Sequence, residues 1–444
     1  MRTVVALKEV ARSIQRAALS AADPAAAVRA CLRVDGASMV VGGREYSLER
    51  PVLLLAVGKA SGAMADAALD VLAGHVGQAI VVMPHGYPVP GPRPFLTVLP
   101  AGHPLPDEQG QAAARLIAAR TAALDRGELC LLLLSGGGSS LLALPHPPLS
   151  LRDKIETTAL LLRSGADIRE INTVRKHLSA VKGGRLAAAT EGTIVTLAIS
   201  DVVGDELSFI ASGPTVPDPT TFADALEVLA RHDLLRAVPR AARSFLKRGR
   251  SGLETETPKS LPERFHATVI ASSVTAVAAA ADEARRRGFA PHVLTTGLAG
   301  EAREAGRWLA AAARGVRDAG QPLPAPACLL AAGETTVSVV GAGHGGRNQE
   351  IALSAALELR GERGMLVASF ATDGKEGNTD AAGGFASGET ITAGMAAGLD
   401  PRACLAANDA GRFLEAAGDL IVTGPTGTNV NDITCVLVEK KGAS

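Results

Sequence analysis

Short apolar runs alternate with longer stretches in which apolar residues recur every three or four positions. The runs at residues 52–57, 79–83, 95–99, 129–134 and 193–199 have strand length and predict strands of a first half. Runs at 266–271, 291–295, 328–331, 336–340, 365–370, 420–422 and 433–438 predict strands of a second. Between them, helical spacing predicts helices over 4–20, 63–72, 107–124, 151–163, 172–189, 222–230 and 241–247, then 274–287, 301–317, 347–359 and 409–417. Residues 35–46 carry no clear pattern, and the polar stretch 248–263, rich in Glu, Thr, Pro and Ser, reads as a linker. Continuous apolar strands alternating with helices imply an α/β fold with a mainly parallel sheet covered on both faces. At 444 residues, two domains are expected, a Rossmann-like three-layer domain over 1–255 and a smaller α/β domain over 265–444.

In such sheets ligands sit beyond the carboxyl ends of the strands. Lys59, Ser135, Asp201, Glu334 and Asp373 each lie just after a predicted strand. The most informative of these tips is Ser135-Gly136-Gly137-Gly138-Ser139-Ser140, where a buried run of leucines stops in three glycines and three hydroxyls. Glycines let backbone N–H groups converge on an anion, and serine hydroxyls add donors. Lys59, in a glycine-bounded turn, suits a phosphate as a point charge, and Arg347, after a glycine loop at a helix start, suits a carboxylate or phosphoryl oxyanion. Asp201, Asp205, Asp373, Asp380 and Asp409 are candidate Mg²⁺ ligands or bases, although such aspartates also serve as helix caps. Arg175, Lys182 and Arg185 form a basic stripe of the kind an ordinary solvated helix face also produces.

Composition narrows the chemistry. The 45 basic and 45 acidic residues balance, which argues against a nucleic-acid binder. A hydrophobic content of 47% with only 3% aromatic residues implies a core built of Ala, Leu and Val. The five scattered cysteines have no metal-ligand spacing and fit a reducing cytoplasm, and no run suggests a membrane span or signal peptide. Nine histidines without a close pair give no zinc site, and neither a P-loop nor a nucleophile elbow is present. The stretch Gly341-Ala-Gly343-His-Gly345-Gly346 matches the dinucleotide fingerprint between a predicted strand and helix, which keeps a dehydrogenase open.

Several longer blocks are more specific. Leu134 to Ser140, Ile171 to Arg185, Ser200 to Asp205 with Ala211 to Thr215, Gly333 to Thr336, Gly345 to Glu350, Thr379 to Gly383 and Thr423 to Asp432 together resemble the class II glycerate kinases, the glycerate 2-kinase family whose C-terminal part is called the MOFRL domain. The resemblance runs in order along nearly the whole chain. It implies ATP- and Mg²⁺-dependent phosphorylation of D-glycerate to 2-phosphoglycerate by a cytoplasmic monomer or homodimer, in a cleft between the two domains. It further implies that the active-site lysine and arginine are Lys59 and Arg347; Ser135, Gly136, Gly137, Gly138, Ser139, Lys176, Glu334 and Asn429 are assigned beside them to substrate or phosphate binding. Asp201, Asp373, Asp380 and Asp432 remain for metal or base. The chain departs from the family pattern at Ala342, His344 and Glu376. Some family members carry the label hydroxypyruvate reductase, so NAD(P)H-dependent reduction is the alternative.

Overall fold

The computed structural model describes residues 2–441. The chain forms two compact units, Pro24–Ile270 and Met1–Asp23 with Ala271–Ser444. In the first, a three-stranded antiparallel sheet of β1 (Leu32–Asp35), β2 (Ser38–Val41) and β3 (Arg44–Ser47) occupies the stretch whose sequence shows no pattern. Its strands have four residues each, too short for an alternation to register.

The main sheet of this unit contains β4 (Val52–Val57), β5 (Val76–Pro84), β6 (Leu96–Ala101), β7 (Leu129–Leu134), β8 (Thr193–Ile199) and β9 (Phe265–Ala271), in the order β6-β5-β4-β7-β8-β9. The pairs from β6 through β8 are parallel, and β4 and β7 are buried along their whole length. That is why they read as unbroken apolar runs. Because β4, β7 and β8 are paired in register, their carboxyl ends lie side by side, and the segments following Val57, Leu134 and Ile199 emerge together.

Two expectations need revision here. The strand at 265–271, placed by the sequence at the start of the second domain, is the edge of this first sheet. The helix expected over 172–189 is broken into Ile168–His177, which ends at a Leu178 cap, and Arg185–Ala188, which the left-handed Gly183 and Gly184 lead into.

The second unit has a mixed six-stranded sheet. Its strands β10 (Ala290–Leu298), β11 (Ala327–Gly333), β12 (Met365–Ala371), β13 (Gly383–Ser387), β14 (Leu420–Ile421) and β15 (Asp432–Val438) lie in the order β10-β11-β15-β12-β13-β14. Only β10 and β11 are parallel. The final strand, β15, runs antiparallel between β11 and β12, with Asp432 opposite both Gly333 and Ala371. The beginning of β15 therefore meets the ends of β11 and β12.

Helices Ala302–Ala319 and Arg347–Leu359 share a core with Leu329, Val367, Val436 and Val438. The N-terminal helix Val4–Ala21, which the sequence assigns to the first domain, belongs to this unit and packs beside helix Ser273–Arg286. Its apolar stripe of Leu7, Val10, Ala11, Ile14 and Ala18 is buried, Ser13 bonds Glu283, and Lys8 pairs with Asp419. Periodicity shows that a helix has an apolar face and does not show which unit covers it.

Candidate active site

In the first unit the turns after β4 and β7 clasp each other. Ser135 N–H donates to Val57 O (3.0 Å), Lys59 N–H to Gly136 O (2.8 Å), and Ala60 N–H to Ser135 Oγ (3.0 Å). Ser135 is only 2% exposed, so its hydroxyl shapes the neighbouring turn. Gly137 has φ +85°, a left-handed conformation that glycine adopts without strain. The N–H groups of Gly136, Gly137 and Ser139 make no hydrogen bond among the described residues, which leaves three donors at one turn for an anion. The helix that follows, Gly138–Leu141, is a single turn.

Lys59 and His103 flank Gly137: a Cβ placed there would lie 2.9 Å from His103 Cδ2 and 3.5 Å from Lys59 Cγ. No carboxylate pairs with the Lys59 ammonium among the described residues. Burial, and then the Lys59 charge, pull the His103 imidazole below its ordinary value, so it is neutral at pH 7. His103 is absent from the sequence candidates, yet it follows β6 as Lys59 follows β4, and that strand-tip position was the available signal.

Behind the turn, Ser139 Oγ meets Ser212 Oγ at 2.8 Å, and Ser212 Oγ donates to Asn172 Oδ1 at 2.9 Å. Lys176 is committed elsewhere: it is fully buried, ion-paired with Asp218 at 3.2 Å and set over the Phe209 ring. Asp201 stands at the tip of β8, partly buried, beside the strand that carries the glycine turn.

The second unit brings Glu334, Arg347 and Asp432 together, because β15 delivers Asp432 to the end of β11. Arg347 is the first residue of its helix. Its Nε and Nη2 both donate to the Asp432 carboxylate, the latter at 3.0 Å, and its Nη1 donates to Glu334 Oε1 at 2.7 Å. Burial works against the guanidinium charge, but Asp432 and Glu334 overcome it and hold its proton affinity above the ordinary value. Burial lifts the Asp432 carboxyl to about 6 against the opposing pull of Arg347.

Glu376 closes the start of the same helix. Asn348 N–H (2.7 Å), Asn348 Nδ2 (2.9 Å) and Gln349 N–H (2.8 Å) all donate to it. These donors favour its charged form, but burial prevails and lifts it to about 8. The remaining candidates are peripheral within this unit. Asp380 is 94% exposed and pairs with Lys375 at 2.8 Å, Asp373 accepts from Lys375 N–H at 3.2 Å, and Asn429 Oδ1 accepts from Asn431 N–H at 3.2 Å.

The glycine loop that mimics a dinucleotide fingerprint is built differently. The strand expected over 336–340 does not form among the described residues, where only an isolated bridge at Thr336 stands between β11 and the loop. Its amides are largely taken within the unit: Asn408 Oδ1 accepts from Val340 and Gly341, Ala407 O from Gly343, Asp409 Oδ1 from His344, and Asn378 Oδ1 from Gly345. A Cβ at Gly343 would lie 2.7 Å from Ala407 O, so this glycine serves close chain packing. Among the described residues, no group of three His, Cys, Asp or Glu side chains is arranged to hold a metal, and no helix is long and apolar enough to cross a membrane.

Comparison with known proteins accounts for both units. Residues 10–247 match a domain of unknown function, DUF4147, and residues 327–432 match the MOFRL family. A glycerate 2-kinase from Pyrococcus horikoshii is 42% identical, with 98% of each chain covered. A protein from Agrobacterium vitis provisionally named a hydroxypyruvate reductase is 44% identical over 98% of this chain and 95% of its own. The crystal structure of glycerate kinase from Thermotoga maritima superposes with a TM-score of 0.86 at 40% identity, covering 98% of this chain and 99% of that one.

Proposed function

This chain belongs to the class II glycerate 2-kinases, the MOFRL family, and transfers the terminal phosphate of ATP to the 2-hydroxyl of D-glycerate; we propose that its two units divide the anions of that reaction between Lys59 and Arg347. The observation that carries the division is the difference in their partners. The Lys59 ammonium has no carboxylate beside it and stands at a turn with three open N–H donors, which suits the transferred phosphate. Arg347 is already neutralised, and Glu334, with 52% of its side chain exposed, is the partner that a glycerate carboxylate can replace while Asp432 keeps the guanidinium in place.

Phosphoryl transfer asks mainly for positioning and charge neutralisation. Mg²⁺ is commonly held by one or two carboxylates together with substrate phosphates, so a preformed three-ligand cage is not required, and Asp201 at the β8 tip offers one such ligand. When bound, the ion offsets phosphate charge during transfer. Asp432, with both carboxylate oxygens on Arg347, serves as its anchor, which leaves the half-buried Asp373 and the exposed Asp380 as the base candidates. Five free cysteines support a reducing, cytoplasmic setting.

The reductase reading loses its main support, because the fingerprint amides are occupied by Asn408, Asp409 and Asn378. A coupled assay decides between the two activities. D-glycerate with Mg·ATP should release ADP and give 2-phosphoglycerate by phosphorus NMR, whereas hydroxypyruvate with NAD(P)H should show no turnover. Exclusive formation of 3-phosphoglycerate would overturn the regiochemistry.

A further inference from the structure

Lys154 on helix Leu151–Arg163, Arg175 on helix Ile168–His177 and Lys182 just beyond it form a group of three bases with no acidic partner within ion-pair distance among the described residues. Lys154 is 4% exposed and Lys182 is fully buried. The Lys154 Nζ has no hydrogen-bond partner, Lys182 Nζ has one on Ala211 O at 3.2 Å, and Arg175 Nε has a long contact of 3.5 Å to Thr158 Oγ1. A structural lysine in this unit is equipped otherwise, since the neighbouring Lys176 has Asp218. Burial, followed by the Arg175 charge, brings the Lys154 amine down to about 7, and Lys182 is depressed by burial and by both neighbours. Unpaired cations in an interior either shed their protons or receive an anion.

The group is joined to the glycine turn. The carbonyl that holds Lys182 belongs to Ala211, whose Cβ would be 2.8 Å from a Cβ at Gly138. Ala211 and Ser212 keep left-handed φ angles of +51° and +62° without being glycine, a strained backbone of the kind that collects at binding sites. Ser212 Oγ in turn touches Ser139 Oγ.

From this arrangement we infer that Lys154, Arg175 and Lys182 form a subsite for a phosphate group of the nucleotide's polyphosphate chain, entered past the partly exposed Arg175. The inference rests on the kinase reading for the identity of the ligand and on the side-chain geometry for the existence of the site.

The test uses the full-length protein, sodium tripolyphosphate, inorganic phosphate and Mg·ATP as probes, and the variants Lys154→Met and Arg175→Gln. Tripolyphosphate should raise the wild-type Tm by on the order of 2–4 °C at saturating concentration. Lys154→Met removes an unpaired buried amine, so its ligand-free Tm should be equal or higher, while the tripolyphosphate shift disappears. In both variants KM for ATP should rise about tenfold or more, the loss expected for a hydrogen bond to a charged group, with KM for D-glycerate within about twofold. Arg175→Gln, at a partly exposed position, keeps the test readable should Lys154→Met fail to fold. Unchanged KM for ATP in a folded variant, or a retained tripolyphosphate shift, overturns the site. A rise in KM for D-glycerate alone overturns the choice of ligand in favour of a carboxylate. A phosphate shift that does not compete with ATP overturns the nucleotide assignment in favour of a separate anion site. Because the melting arm needs no turnover, an enzyme that fails to phosphorylate glycerate still reports on the subsite.

Discussion

The cations at the candidate sites of the two units are handled in opposite ways. In the first, Lys59, Lys154 and Lys182 stand without carboxylates among the described residues, and the glycine turn beside Lys59 has N–H donors with no partner there. In the second, Arg347 is gripped by Asp432 and Glu334, and Glu376 caps the same helix start. An uncompensated cation, while it stays protonated, attracts a polyanion without competition from a carboxylate but is costly to the unliganded protein. A cation already neutralised gives up net attraction and gains a fixed orientation, which favours a planar carboxylate over a diffuse charge. The unpaired arrangement thus suits capture of a nucleotide, and the paired one suits selection of a small acid.

The strongest way to break the comparison is to remove either cation. Lys59→Ala and Arg347→Ala should each lower kcat by on the order of 10³-fold or more, the scale of transition-state charge stabilisation. Arg347→Lys should not rescue, since an ammonium cannot reproduce the paired contacts to Asp432. Near-normal kcat in both alanine variants would place these residues outside the chemistry.

Next in size is Gly137→Ala. Its φ of +85° and its approach to His103 mean that the variant should lose about 1 kcal/mol of stability even without ligand, together with a several-fold rise in KM for ATP. Stability loss with unchanged KM would make the turn a connector only. Glu334→Gln sharpens the other side. If Glu334 merely occupies the place of substrate, KM for D-glycerate should fall by about threefold with kcat retained, as befits a half-exposed ion pair. A collapse of kcat would make Glu334 a participant in the chemistry.

A smaller effect follows pH. Glu376 holds its proton to about 8 in the fold against an ordinary 4.5, so folding takes up a proton between those values. Stability should therefore fall as pH rises through that window, and Glu376→Gln should flatten the fall in urea midpoints between about pH 5 and 8. If its three N–H donors keep Glu376 charged, the slope stays as it was and the glutamine variant is weaker at every pH. The smallest change belongs to Asp380→Ala, which removes an exposed pair with Lys375 and should leave Tm and kcat at wild-type values; a large loss of kcat would reinstate Asp380 as metal ligand or base.

Much of this was legible in the residues. Strand tips announce themselves where an apolar run stops, and that places Lys59, Ser135, Glu334 and Asp201 correctly at strand ends. What periodicity could not disclose is pairing at a distance. The edge strand β9 carries no mark of the sheet it joins, and Asp432 reaches Arg347 only because β15 returns to the middle of its sheet. The glycine loop was misleading because the side chains that satisfy it, Asn408 and Asp409, lie far along the chain. Lysines at helical spacing normally signal a solvated face, so the burial of Lys154 and Lys182 had no sequence signature beyond the broken helix that carries Lys182 inward.

The central place of β15 has a consequence for biosynthesis. As the polypeptide leaves the ribosome, β10 and β11 exist as one fragment and β12 to β14 as another, each with an open edge, until the final strand emerges to join them. Helix Val4–Ala21 must likewise wait for helix Ser273–Arg286 before its apolar face is covered. The unit between them can fold while the nascent chain is still growing, whereas the unit carrying Arg347 completes its sheet only after Asp432–Val438 has been added. A chain cut short before Asp432 would lack the carboxylate that orients Arg347, although the glycine turn and Lys59 would be unchanged in sequence.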